Sequence, residues 1–271
     1  SHYFQHTYSA YDSMALKPDR QFYFNKQSVN INAKVGLYPA FVGGQIAVSR
    51  NDEVIADWMC DFNVLQIIVF DANTSKPWKN SNISATEGRF GSRPICHLRP
   101  YSFSYLFADP AQRKNAMQML DSIPDGNMVM IYWTGVAVNT FVPANQSFID
   151  DWMTDTATLG SNKSLYHKLK NFGLNKIDSF TRNIPFLFFF KKGNLNIPVF
   201  QKTGAAPNDY IVENFALEEF LENGSVESPW FGPALKWNEL HWDGYSADQF
   251  LSDKSAVEVY GKNTNGNVEL I

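Results

Sequence analysis

The sequence predicts an α+β protein in which an α/β sandwich, made of sheets with packed helices, is inserted in or flanked by an antiparallel β-sandwich. In the centre of the chain, short apolar runs that suit buried strands alternate with segments whose apolar residues recur at helical spacing. On both sides, short alternating segments are separated by turn residues, as in antiparallel sheets. We therefore expect β-sandwich parts over residues 1–60 and 218–271 and an α/β domain over residues 61–217.

Composition favours a folded protein that does not bind nucleic acid. Aromatic residues make up 15% of the 271 residues, which supplies a large core and surplus stacking surface and argues against disorder. The formal net charge is −4 and no long basic run is present, so the chain lacks the electrostatic footprint for a phosphate backbone. The most apolar run, residues 186–190, is far shorter than the roughly 20 residues that span a bilayer. We expect no membrane span.

The flanking segments show strand-like alternation bounded by turn signals. Residues 29–33 alternate apolar and polar side chains, as a strand with one solvated face requires. Asn51 and Asp52 mark a turn, and Asn265 followed by Gly266 is a strong hairpin signal between the last two strands. The predicted flanking strands cover residues 21–24, 28–33, 45–49, 256–260 and 268–271, and two more strands, 197–201 and 209–216, are predicted near the end of the α/β domain.

Continuous apolar runs predict buried strands in the centre of the chain. The run over residues 64–70 is almost uninterrupted, which suits a strand covered on both faces. Residues 101–107 alternate at their start and are expected to form the antiparallel return strand. Further strands are predicted over residues 128–133 and 186–190.

The first helix is predicted to begin at Asp109 and Pro110. An aspartate can accept hydrogen bonds from unpaired backbone amides, and proline at the first helical position costs no helical hydrogen bond. The apolar face at spacing i, i+3, i+4 and i+7 consists of Ala116, Met119, Leu120 and Ile123. The side chains expected to face elsewhere are Arg113, Lys114, Gln118 and Asp121.

A second helix is predicted over residues 146–159 and a third over residues 164–172. Gly173 is expected to end the third helix as a left-handed terminator. The inner stripe of the second helix consists of Phe148, Ile149, Trp152 and Met153. Asp150, Asp151 and Asp155 are then expected to point outward, where a solvated face is a better interpretation than a cation site.

Known catalytic motifs are missing from the sequence. Cys60 and Cys96 are the only cysteines, too few for a disulfide scaffold or a four-ligand zinc site; whether they form one bridge is left open, because their separation depends on strand register. Cys96 precedes His97, but adjacent residues of an extended strand point to opposite faces, so this histidine is badly placed to take the thiol proton. No phosphate loop, nucleophile elbow or paired metal-ligand histidines occur. We expect no catalysis, no metal and no cofactor.

Residues 62–193, about half of the chain, resemble the interleukin-like EMT inducer (ILEI) domain. The resemblance rests on the order and spacing of several short motifs rather than on any one of them. They are Ile-Ile-Val-Phe-Asp-Ala-Asn-Thr at 67–74, Phe-Ala-Asp at 107–109, Met-Leu-Asp-Ser-Ile-Pro-Asp-Gly-Asn-Met-Val-Met at 119–130, Leu-Gly-Ser at 159–161 and Phe-Phe-Phe-Lys-Lys-Gly at 188–193.

The resemblance implies a secreted, non-catalytic domain. ILEI domains occur in cytokine-like secreted proteins, in the stem of an O-mannose N-acetylglucosaminyltransferase, and in large secreted bacterial proteins, including sortase-like proteins of type IX secretion. Residues 228–242 are similar to sandwich segments that flank the domain in the bacterial proteins. This implies a structural or partner-binding module, secreted or on the cell surface, whose partners are another protein or neighbouring domains of the same chain. An alternative is an accessory region of a cysteine peptidase-like sortase.

The sugar site of the stem domain is mostly not carried over. The stem domain binds sugar through an arginine on the return strand, an aspartate in an acidic turn and a second arginine. Here Tyr105 replaces the first, residues 134–136 (Thr-Gly-Val) replace the acidic turn, and only Arg182 remains. Arg182 is a candidate ligand contact, and support of its own loop is the alternative.

Three tryptophans near the C-terminal end form a second candidate site for carbohydrate, because sugars stack on exposed indole rings. Trp230, Trp237 and Trp242 lie within thirteen residues of one another, and Asp243 follows them. The alternative is that these aromatic side chains pack the junction between the sandwich and the α/β unit. A glycan is therefore the alternative to a protein or a neighbouring domain as the expected partner.

Overall fold

A computed structural model describes residues 10–18, 21–37, 47–57, 63–81, 90–91, 100–135, 148–180, 184–194, 196–236, 238–241 and 254–271. Within these ranges the protein is mixed, with mostly antiparallel sheets and a few helices, which confirms the α+β class. The contacts divide the chain into two compact units. One is Lys26–Leu221; the other joins the described residues before Lys26 to those after Leu221.

The strands and helices of the described ranges are as follows. The strands are β1 (Ala10–Asp12), β2 (Met14–Leu16), β3 (Phe22–Phe24), β4 (Lys26–Gly36), β5 (Ala47–Arg50), β6 (Glu53–Asp57), β7 (Val64–Phe70), β8 (Phe103–Leu106), β9 (Met128–Thr134), β10 (Phe186–Lys191), β11 (Phe200–Thr203), β12 (Tyr210–Phe220), β13 (Ser225–Glu227), β14 (Tyr260–Lys262) and β15 (Val268–Leu270). The α-helices are α1 (Pro110–Ser122), α2 (Phe148–Thr154), α3 (Thr156–Leu159) and α4 (Leu165–Asn171), followed by a 3-10 helix at Asn175–Ser179.

The centre of the larger unit is a sheet whose described strands lie in the order β11-β10-β9-β7-β8, each antiparallel to its neighbours. Every residue of β7 is buried, which confirms that this run is covered on both faces. Ile67 and Val69 pack with the helices. Ile68 and Phe70 pack on the opposite face.

A second sheet, in the order β12-β4-β5-β6 among the described strands, covers that opposite face. Val29 and Ile31 of β4 are fully buried and belong to the same core as Ile68 and Phe70. Strands β4 to β6 and β12 therefore share a compact unit with the central sheet. The sequence analysis assigns β4 to β6 to the part over residues 1–60 and most of β12 to the domain over residues 61–217. The physical reason is that the alternating face of β4 needs an apolar cover, and the central sheet supplies one.

The smaller unit contains short two-stranded pairings in its described part. They are β1 with β13, β2 with β3, and β14 with β15, all antiparallel. Gly266 adopts φ +87° in the turn between β14 and β15, which confirms the hairpin. The first strand of this hairpin is Tyr260–Lys262 rather than the predicted 256–260.

Helix ends follow the sequence signals closely. Asp109 accepts a hydrogen bond from the Ala111 amide at 2.8 Å, and Pro110 is the first helical residue, as predicted. Gly173 has φ +97° at the end of α4, which confirms the left-handed terminator. The described part of the predicted helix 146–159 is divided into α2 and α3. The Thr156 hydroxyl donates to the Met153 carbonyl at this break, a side-chain contact that competes with regular helix.

Candidate functional site

A concave groove lies on the helical face of the Lys26–Leu221 unit. It has a cavity volume of about 460 Å³ and is formed by α1, the loop before α4, α4 itself and Lys192. Met117, Leu159 and Phe172 give it an apolar floor, and all three belong to or pack against the core of the helical layer. The groove is therefore a depression built into the packing of α1 against α4.

Four lysines line this groove, and two of them are held by other groups. The Lys192 ammonium donates to the backbone carbonyls of Leu120 at 2.6 Å and Asp121 at 2.9 Å, at the C-terminal end of α1. Lys168 forms an ion pair with the Asp121 carboxylate. Burial lowers the pKa of Lys192, and the Asp121 and Asp125 carboxylates oppose that shift. These two cations are positioned by contacts that do not need a ligand.

Of the six remaining polar side chains of the groove, Ser164 is hydrogen-bonded to His167, and the other five have no hydrogen-bond partner among the described residues. They are the ammonium groups of Lys114 and Lys163 and the side-chain amides of Gln118, Asn162 and Asn171. Lys163 sits in a turn closed by a hydrogen bond from its own amide to the Gly160 carbonyl at 3.0 Å. The groove thus combines an apolar floor with unpaired donors at its rim.

Beside the groove, Arg113 forms a buried ion pair with Asp155. The sequence places both side chains on outward faces, and that prediction is wrong: Arg113 is 2% exposed and Asp155 is 8% exposed. The guanidinium donates twice to the carboxylate, with both distances at 2.7 Å. Asp150 and Asp151 are exposed as predicted. Within the described ranges, no group of three or more His, Cys, Asp or Glu side chains could hold a metal.

Two of the three sequence-predicted positions for sugar contacts, Tyr105 and Thr134, lie among the described residues, and both are buried. Tyr105 is 1% exposed, and burial raises its pKa far above the ordinary value, so the phenol stays neutral. A Cβ at Gly91 would meet the Tyr105 ring at 2.8 Å, so the ring is packed directly against the backbone. Thr134 is buried, and no described residue hydrogen-bonds its hydroxyl. Arg182 lies outside the described residues.

Of the predicted tryptophan cluster, the structure describes Trp230, whose side chain is 61% exposed. Its indole surface is therefore open rather than packed. Trp237, Trp242 and Asp243 lie outside the described residues, as do Cys60 and Cys96, so the predictions for all five remain predictions.

The lysine groove is a feature that sequence reasoning missed. Its lysines come from α1, the loop between α3 and α4, α4 itself and the turn after β10, and they form no basic run in the sequence. The one sequence signal that could have indicated the groove is the lysine content of these four segments in an acidic chain. Only the packing of α1 against α4 brings them together.

No protein-family model and no curated protein matches the chain. Among the described residues, none of the helices has the length and apolar character needed to cross a membrane.

Proposed function

We propose that the chain is a non-catalytic structural or partner-binding module of a large secreted or cell-surface bacterial protein associated with type IX secretion. In this proposal residues 62–193 form an ILEI-like α/β sandwich. The support is the ILEI-like order of motifs in the sequence, together with the similarity of residues 228–242 to segments that flank the domain in bacterial proteins.

One structural observation carries the binding role. Of the fifteen exposed large apolar side chains in the described residues, nine lie after Leu221. They are Trp230, Leu235, Leu240, Val257, Val259, Tyr260, Val268, Leu270 and Ile271. An excess of exposed apolar side chains over the rest of the described residues favours a segment that docks a partner or a neighbouring domain.

Hydrogen exchange tests this role. Amide exchange over residues 225–236 is compared between the isolated chain and the complete secreted protein. We expect about 10-fold slower exchange in the complete protein, because a docked partner excludes solvent from the backbone. Strand β9 is the internal control, since it is buried in either case. Equal exchange over residues 225–236 in both samples would remove the support for docking there.

A carbohydrate-binding module is the second candidate, favoured by the open indole of Trp230. A glycan array with the wild-type chain, Trp230→Ala and Trp242→Ala tests it. Tyr210→Ala is the control, because Tyr210 is 62% exposed, close to the 61% of Trp230, but lies on β12 of the other unit. Loss of a hit in the tryptophan variants alone would support sugar stacking. No hits, or hits that survive both substitutions, would exclude it.

The non-catalytic part of the proposal, which also covers an accessory role in a cysteine peptidase-like sortase, is tested by turnover. We expect the isolated chain not to hydrolyse peptide substrates. Hydrolysis that disappears in Cys96→Ala would contradict the non-catalytic proposal.

A further inference from the structure

The lysine groove concentrates positive charge in an acidic protein. The whole chain has a formal net charge of −4, whereas the groove is lined by four lysines and a single aspartate. That aspartate, Asp121, is already paired with Lys168. For the two unpaired ammonium groups, Lys114 and Lys163, the residues that line the groove therefore supply no carboxylate that is not already paired.

The size and shape of the groove suit a small molecule. Its volume of about 460 Å³ falls in the range of roughly 300–1,000 Å³ that is typical of ligand sites. Such sites combine an apolar lining with a small number of polar groups that fix orientation. Here Met117, Leu159 and Phe172 form the apolar part, and the lysines and free amides form the polar part.

We propose that the groove binds a small molecule or sugar derivative that carries an oxyanion: a phosphate, a sulfate or a carboxylate. Lys114 and Lys163 contact the oxyanion, and each supplies a point charge with three donors. The body of the ligand lies on the apolar floor. Gln118, Asn162 and Asn171 donate to and accept from its hydroxyl groups.

Two features distinguish the groove from an ordinary solvated face of lysines. The Lys192 ammonium is held in place by the carbonyls at the end of α1, so one positive charge is fixed before a ligand arrives, whereas the charge of Lys168 is offset by Asp121. The turn that carries Lys163 has its own backbone closure, with Gly160 at φ +100° and Asn162 at φ +59°. This site lies in the Lys26–Leu221 unit and is independent of the proposed docking by residues after Leu221.

Calorimetric titration tests the proposal with glucose 6-phosphate, galacturonate, inorganic phosphate and neutral glucose as probes. The test variant is Lys114→Gln with Lys163→Gln. The control is Lys79→Gln with Lys176→Gln, which removes the same charge from exposed lysines that do not line the groove. Thermal unfolding of both variants confirms that each is folded.

We expect at least one anionic probe to bind, the test variant to bind it about 10-fold more weakly, and the control variant to match the wild type. Tighter binding of glucose 6-phosphate than of inorganic phosphate identifies a ligand with an organic body. Equal binding would show that the apolar floor and the amides contribute nothing, and would overturn the organic ligand in favour of the free oxyanion. The proposal is overturned if no anionic probe binds, if glucose binds as tightly as the anions, or if the two double variants lose affinity equally.

Discussion

Arg113 and Asp155 join the first helix to the junction of α2 and α3 through a buried two-point ion pair. The third guanidinium contact, from Nη1, is to the Phe107 carbonyl at 2.8 Å. The same carbonyl accepts a hydrogen bond from the Trp152 indole at 3.0 Å. One backbone oxygen just after β8 thus fixes side chains from two helices. The helical layer that forms the lysine groove is anchored at this point.

Removing one partner of this ion pair should strongly destabilise the protein. Asp155→Ala leaves a guanidinium buried without its counter-charge, so we expect the free energy of unfolding to fall by about 3–5 kcal/mol. Asp151→Ala is the matched control on an exposed position and should change it by no more than about 0.5 kcal/mol. Urea unfolding followed by tryptophan fluorescence measures both. Similar midpoints for the two variants would show that the pair is not important for stability.

Replacing both partners should be milder than replacing one. Arg113→Met combined with Asp155→Leu removes the buried charges together, and apolar side chains of similar size often substitute well for a buried pair. In the same urea experiment, the free energy of unfolding of this double variant should be higher than that of Asp155→Ala. A double variant less stable than the single one would mean that packing, rather than charge, controls this position.

Thr134 is expected to be a site where a substitution stabilises the protein. Its hydroxyl is buried, and no described side chain or backbone group bonds it. Thr134→Val removes that unpaired group and should raise the free energy of unfolding by about 1–2 kcal/mol. Thr74→Val is the control and should lower the free energy of unfolding, because the Thr74 hydroxyl donates to Asp71 at 3.0 Å. Destabilisation by Thr134→Val would show that the hydroxyl has a partner in solution.

Gly193 should tolerate alanine worse than Gly126 does. Both adopt the left-handed region, at φ +73° and φ +95°, where an L side chain costs about 1–2 kcal/mol. A Cβ at Gly193 would also lie 2.6 Å from the Cβ of Asp125, whereas a Cβ at Gly126 meets its nearest neighbour at 3.5 Å. We expect Gly193→Ala to lose about 1–3 kcal/mol more than Gly126→Ala in urea unfolding. Equal losses would contradict the close contact.

Asp71 should make stability depend on pH in the acid range. Burial opposes its ionisation, but hydrogen bonds from the Thr74 and Asn73 amides and the Thr74 hydroxyl outweigh this and lower its pKa below the ordinary 3.8. A lowered carboxyl pKa contributes stability that is fully present above 3.8 and is lost as the pH falls through the folded value. The stability gap between wild type and Asp71→Asn should therefore be constant near neutral pH and shrink below about pH 4. A gap that does not change on acidification would contradict this.

Local signals in the sequence predicted the elements well, and long-range contacts explain what they missed. The helix start at Asp109 and the helix end at Gly173 depend on neighbouring residues alone, so both were readable. Arg113 and Asp155 are 42 residues apart. Polar side chains on the outer face of a helix indicate contact with solvent, and the sequence does not show that these two contact each other. Much of the predicted tryptophan site, and Arg182, lie outside the described residues and stay predictions.

The central claim, that the segment after Leu221 docks a partner, is tested most directly by photo-crosslinking in the secreting cell. A photoreactive amino acid is placed at Leu235, which is fully exposed, and in a separate variant at the exposed polar residue Lys176 of the Lys26–Leu221 unit. A docking segment predicts a discrete cross-linked product from position 235 and none from position 176. No product from position 235, or the same products from both positions, would contradict the claim.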